Sequence, residues 1–137
     1  WGLAEPYILL VQLRAILRAS RFGPVRLLIP MLTHAQQIDQ TFALIQTARR
    51  QCTEAGLTID PNLKIGAMIE APASALMAPF FAQRFDFLSM GTNDLIQYTL
   101  AIDRCDKAVA HLYDPTHPAV LRLIAETLSA GRQADIP

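Results

Sequence analysis

An α/β fold with parallel strands and helical crossovers is what this sequence predicts, and three observations carry the prediction. Apolar runs that do not alternate with polar residues lie at Val25–Leu32, Leu63–Ile69 and Phe85–Ser89, as expected of strands covered on both faces. Segments of helical period flank them, giving helix–strand–helix–strand–helix–strand–helix, the alternation that goes with parallel strands. The ends of the second and third runs carry polar residues, and that end is where α/β folds bind ligands. This order suits either part of a closed barrel or an open sheet.

Taken in order, Pro6–Ser20 predicts a helix, with Leu9, Leu10, Leu13, Ile16 and Leu17 at helical spacing and a proline suited to the first turn. Arg14 and Arg18 share one face of it and read as a solvated basic edge. The first strand is interrupted by Pro30 near its end, where strand prolines are tolerated. Thr33, with Gln36 three residues on, suggests a capping box for a helix running to about Ala55. Ile38, Phe42, Ile45 and Ala48 form its apolar face, Cys52 is a packing residue within it, and Gly56 marks its stop. The second strand ends at Glu70, and Pro72 opens a helix through about Arg84. After the third strand and the polar stretch that follows it, Cys105–His117 lacks periodicity and reads as a long loop. Its His111, Tyr113 and His117 read as solvent-facing or packing residues. Pro118 starts a last helix through about Ala130, Gly131 ends it, and Ala134–Pro137 looks like a strand beginning.

The bulk numbers bound the function. At 137 residues the chain is one ordinary domain or part of a larger one. A hydrophobic content of 52% and a mean hydropathy of +0.25 fit buried parallel strands. Twelve basic and twelve acidic residues balance, which removes the bulk electrostatic case for nucleic acid or an anionic membrane. No apolar run approaches the roughly 20 residues of a membrane helix. No signal peptide is visible, and the first residue is Trp1 rather than Met, so a natural N-terminus is not in view. Cys52 and Cys105 lack the spacing of a zinc site or a disulfide framework, which suits a reducing cytoplasm.

The stretch from Phe87 to Arg104 organises the rest. It begins apolar, turns on Gly91 and presents Thr92, Asn93 and Asp94 in a row, predicted as a loop, before a short apolar segment ending in Asp103 and Arg104. Asn93 can donate and accept, Asp94 can hold a hard cation, and Arg104 can grip an anion with two parallel donors. Glu70 is the second unusual feature, because a carboxylate at the end of an apolar strand is costly to bury unpaired. Neighbouring parallel strands lie about 4.8 Å apart, so Glu70 and Asp94 can share one Mg²⁺ that keeps waters and takes substrate phosphate. The residues alone therefore point to metal-assisted chemistry on a small phosphorylated or carboxylated ligand.

Ser89-Met-Gly-Thr-Asn-Asp-Leu-Ile-Gln-Tyr-Thr-Leu-Ala-Ile-Asp-Arg104 closely resembles the signature of the phosphoenolpyruvate-utilising enzymes, and Met68-Ile-Glu-Ala-Pro72 resembles a second segment of that family. Gln12-Leu-Arg-Ala-Ile-Leu-Arg-Ala-Ser20 and His111-Leu-Tyr113 look like its Enzyme I branch, the phosphoenolpyruvate–protein phosphotransferases of bacterial sugar phosphotransferase systems. The resemblance spans essentially the whole chain. It implies about half of a (β/α)₈ TIM barrel, since such barrels run to roughly 250 residues, with residues 1–137 forming part of the phosphoenolpyruvate-binding domain. It further implies Mg²⁺ held by Glu70 and Asp94, and phosphoenolpyruvate contacted by Asn93, Asp94 and Arg104.

The same resemblance places the phosphohistidine in an N-terminal domain outside this chain, and the proton-donor cysteine and the end of the barrel beyond Pro137. No catalytic residue is therefore expected here: His34, His111 and His117 do not match the acceptor, and Cys105 is not the proton donor. The parent would be a cytoplasmic transferase moving a phosphoryl group from phosphoenolpyruvate to its histidine and on to an HPr-type carrier, as a homodimer through the barrel domain. The isolated piece is expected to be inactive, and to self-associate through its unpaired strand edges. Ala71 departs from the family's usual threonine, and Leu10 and Val11 stand where polar residues are common. A phosphoenolpyruvate synthase or pyruvate phosphate dikinase barrel is the nearest alternative, and a metal-dependent 2-keto acid lyase barrel the next. The Gln97-Tyr-Thr-Leu-Ala101 version of the motif and the Asn93–Arg104 pattern favour Enzyme I.

Overall fold

A computed structural model describes residue 3 and residues 5–137. It divides into two compact units, one of Trp1–Leu27 with His34–Lys64 and one of Leu28–Thr33 with Ile65–Pro137. Among the described residues no helix is long and apolar enough to cross a membrane.

The first unit is built on two helices, α1 (Pro6–Ala19) and α2 (Ala35–Glu54). Leu13 and Leu17 are the buried stripe of α1, and Ile38, Ile45, Ala48 and Cys52 that of α2. Each such leucine or isoleucine contributes about 1.5–3 kcal/mol by leaving water. Cys52 is the packing residue expected of it, and Arg14 and Arg18 stay exposed on α1. The cap of α2 is His34 rather than Thr33: Gln37 Oε1 accepts the His34 N–H at 3.1 Å, one residue later than the sequence suggests. At the other end Gly56 adopts φ 68°, and the N–H groups of Gly56 and Leu57 close on the carbonyls of Thr53 and Cys52. That left-handed closure is where glycine is favoured.

The strands are β1 (Arg26–Ile29), β2 (Lys64–Ile69) and β3 (Phe87–Met90). They form one parallel sheet in the order β1-β2-β3, with Gly66 opposite Phe87 and Ile69 opposite Met90. Parallel strands joined through helices fit part of a (β/α)₈ barrel.

In the second unit, α3 (Pro72–Leu76) and α4 (Ala78–Ala82) lead into β3, and α5 (Thr92–Leu100) and α6 (Pro118–Gln133) follow it. Ala67, Ile69, Ala75, Ala78, Phe81, Leu95 and Val120 are fully buried, and the Phe81 and Phe85 rings stack with centroids 5.9 Å apart. The single helix expected over 72–84 is two, because Pro79 near the start of α4 has no N–H to continue the ladder. Gly131 does not stop α6 but lies inside it, buried, where a side chain would press on the Ile136 carbonyl at 3.3 Å. Ala134–Pro137 is not a strand, although the Leu88 N–H of β3 already donates to the Pro137 carbonyl at 2.8 Å.

Candidate metal- and anion-binding site

The site grows from the register of β2 and β3. Ile69 and Met90 are partners across the sheet, so the next residues, Glu70 and Gly91, leave it side by side. The Gly91 N–H donates to the Ile69 carbonyl at 3.0 Å. A Cβ on residue 91 would stand 2.7 Å from Glu70 Cβ and 3.0 Å from its Oε2. Glycine is therefore what lets the Glu70 side chain lie against this backbone.

Glu70 is only 4% exposed. Its Oε1 accepts the Met31 N–H at 2.7 Å, and Met31 holds a left-handed φ of 56°. A non-glycine residue adopts that conformation at a cost of about 1–2 kcal/mol, which here aims a backbone donor at a buried carboxylate. Burial pushes the Glu70 carboxyl above its ordinary value of 4.5; the Met31 hydrogen bond opposes this, while the charge of Asp94 and a hydrogen bond with it raise the carboxyl further. A buried carboxyl thus meets a second, partly exposed acidic group, an arrangement that favours either a retained proton or a cation.

Asp94 reaches this point from a helix. Thr92, Asn93 and Asp94, expected in a loop, are the first turn of α5, anchored by the Leu95 N–H on the Gly91 carbonyl at 3.0 Å. Their own N–H groups have no acceptor within the helix, and an acidic residue in that turn is favoured by the helix dipole. The helix stops at Ala101, whose φ is 52°, and buried Ile102 turns the chain back. Arg104 then returns: its Nη1 donates to Asp94 Oδ1 at 2.9 Å, and its backbone N–H to Gln97 Oε1 at 3.1 Å. Further along, the Tyr113 hydroxyl donates to Asn93 Oδ1 at 2.9 Å.

Glu70, Asp94, Asn93 and Arg104 therefore gather at one end of β2 and β3. Among the described residues no three His, Cys, Asp or Glu side chains form a metal cage. The donor set is instead a carboxylate pair, all oxygen, beside a guanidinium and a carboxamide. Such a pair suits a hard divalent cation that keeps part of its coordination for water and ligand, and the two nitrogen groups suit an anion.

The other polar residues go elsewhere. His117 caps α6, its Nδ1 accepting the Ala119 N–H at 3.2 Å. His111 sits in the 3-10 turn Ala110–Leu112, inside the stretch read as unbroken loop. Cys105 is exposed, with its N–H on Asp103 Oδ1. Two contributors escape a reading of side chains. The Met31 donor is main chain and sends no signal beyond its place just after a strand, and Gln97 reads only as part of a helix face. Tyr113 was in view, but its partner was not.

A family model described as "PEP-utilising enzyme, PEP-binding domain" matches residues 1–137. A phosphoenolpyruvate-protein phosphotransferase of Cupriavidus necator is 63% identical over 137 residues, covering 100% of this chain and 23% of that protein. One of Haemophilus influenzae is 46% identical over 124 residues, covering 90% of this chain and 22% of the relative. The chain thus spans less than a quarter of the curated relatives it matches. In three dimensions it is similar to a citrate lyase of Burkholderia xenovorans, with a TM-score of 0.68 at 21% identity over 93% of this chain and 38% of that one. That likeness concerns the fold.

Proposed function

The chain belongs to the PEP-utilising enzymes, as their PEP-binding domain, and on that premise we propose that it is the substrate-binding part of a phosphoenolpyruvate–protein phosphotransferase. The observation that carries the reading is the meeting of Glu70, just past the end of β2, with Asp94, in the first turn of the helix that follows β3, with Asn93 and Arg104 beside them. Glu70 and Asp94 would hold Mg²⁺. The fit rests on their chemistry: two oxygen donors within hydrogen-bonding reach, one of them buried and disfavoured as a bare anion. Bound there, the metal supplies positive charge against the phosphoryl oxygens.

The residues of the chain do the rest by binding and orientation. Arg104, steadied by Asp94 and Gln97, places a guanidinium at the mouth of the site. Asn93 offers amide N–H groups to the substrate, and Asp94 lies in the same contact. The phosphoryl group would pass to a histidine of another domain, and from there to an HPr-type carrier protein of a sugar phosphotransferase system. The phosphohistidine and the proton donor belong to parts of the protein outside residues 1–137, so this chain alone should not turn over. A homodimer through the barrel domain and a cytoplasmic location complete the reading.

Calorimetry tests it. Phosphoenolpyruvate titrated in the presence of Mg²⁺ should bind the chain, and binding should fall at least tenfold in Glu70→Ala and in Asp94→Ala. Equal binding with and without Mg²⁺, or in both variants, would overturn the assignment of these carboxylates.

A further inference from the structure

Asn93 is the residue of the site whose chemistry depends on which way its side chain faces. A carboxamide carries an acceptor oxygen on one side and two N–H donors on the other, and only the donor side suits an anionic ligand. Asn93 is exposed, in the first turn of α5, where solvent alone would not select an orientation. Its Oδ1 is nevertheless engaged, accepting the Tyr113 hydroxyl at 2.9 Å from 20 residues along the chain. Tyr113 is half-buried and directly follows the 3-10 turn Ala110–Leu112, and its own N–H is tied to the Ala110 carbonyl at 3.1 Å. A phenol hydroxyl carries one O–H to donate, and here it goes to Asn93 Oδ1.

We propose that Tyr113 is a positioning residue: by occupying Asn93 Oδ1 it fixes the carboxamide with Nδ2 turned to the substrate anion. The inference rests on the reading of Asn93 as a phosphoenolpyruvate contact and adds what makes that contact specific. The segment that carries Tyr113 also carries Arg104, which grips Asp94. Two neighbouring residues of α5, one ligand-facing by its amide and one by its carboxylate, are thus each held by a side chain from the same return segment. An amide already turned to its ligand loses less rotational freedom on binding.

Tyr113→Phe tests this, since it keeps the ring and removes the hydroxyl. Asn62 and Asn93 are the two asparagines of the chain, so ¹⁵N-asparagine labelling yields two side-chain NH₂ pairs, assigned with Asn93→Ala. In Tyr113→Phe the Asn93 pair should move toward the position of a freely rotating amide. Mg²⁺-dependent phosphoenolpyruvate binding should weaken about three- to tenfold, by calorimetry, at an unchanged Tm. On the Asn93→Ala background the tyrosine substitution should have no further effect. An Asn93 pair that does not move, or an equal loss of binding on both backgrounds, overturns the inference. Absence of phosphoenolpyruvate binding by the unsubstituted chain overturns the proposed function instead, and the position of the Asn93 pair still decides whether Tyr113 orients it.

Discussion

Glu70 lies 4% exposed at the end of β2, whereas the Arg104 side chain is 41% exposed on a segment ten residues beyond the aspartate it grips. The two belong to one site but are held by different forces. Glu70 is placed by main chain: the β2–β3 register, the missing Cβ of Gly91 and the left-handed turn at Met31. Each of these is stiff, and together they confine a carboxylate that would prefer water. Arg104, Asn93 and Tyr113 are placed by hydrogen bonds between side chains in contact with solvent, where a charge pair is worth about 0–1 kcal/mol. The buried half therefore spends stability to set up a charge, and the exposed half orients donors without weighing much on the fold.

Three substitutions sharpen that contrast. Gly91→Ala should have the largest effect, because a Cβ there meets Glu70 Cβ at 2.7 Å, an atom close to main chain that has little room to move. Overpacking of this kind costs about 1–3 kcal/mol, which thermal denaturation should show as a fall in Tm together with lost binding. An unchanged Tm would mean that the buried half is more pliable than its geometry indicates.

Glu70→Gln should act in the opposite sense. The carboxyl is raised above 4.5 by burial and by Asp94, so the folded state holds this proton more tightly than the unfolded chain. The stability this contributes is fully present below pH 4.5 and is lost as pH rises through the raised folded value. Without divalent cations, Glu70→Gln should therefore have the higher Tm at neutral pH, and its advantage should shrink on acidification toward pH 4.5. Added Mg²⁺ should raise the Tm of the unsubstituted chain more than that of the variant. Thermal scans from pH 4 to 8 with and without Mg²⁺ check both signs.

Arg104→Gln should change stability least, by no more than about 0.5 kcal/mol, while weakening phosphoenolpyruvate binding. A large drop in denaturation midpoint would erase the distinction between the two halves.

How much of this was legible from residues varies with the element. The helix starts at Pro6, Pro72 and Pro118 and the stop at Gly56 were readable because proline and glycine act locally through φ. The strands were readable as apolar runs without polar alternation, although β1 and β3 are shorter than those runs. Gly131 misled because its role is to admit the Ile136 carbonyl, a contact that local propensity does not express. Thr92–Asp94 misled because polar residues after a strand suit a loop and a helix's first turn alike.

The sequence by itself determined the alternation of strands and helices, the family, and the four polar side chains worth watching, since periodicity, turn chemistry and a long motif are all local properties of the chain. Only the tertiary structure decided that Glu70 is buried against Gly91, that a Met31 N–H from 39 residues away supports it, and that Tyr113 rather than solvent takes the Asn93 oxygen. Those facts depend on strand register and on where a returning segment lands. No residue type announces them, because a main-chain donor looks alike at every position and a hydrogen bond needs the fold to bring its two ends together.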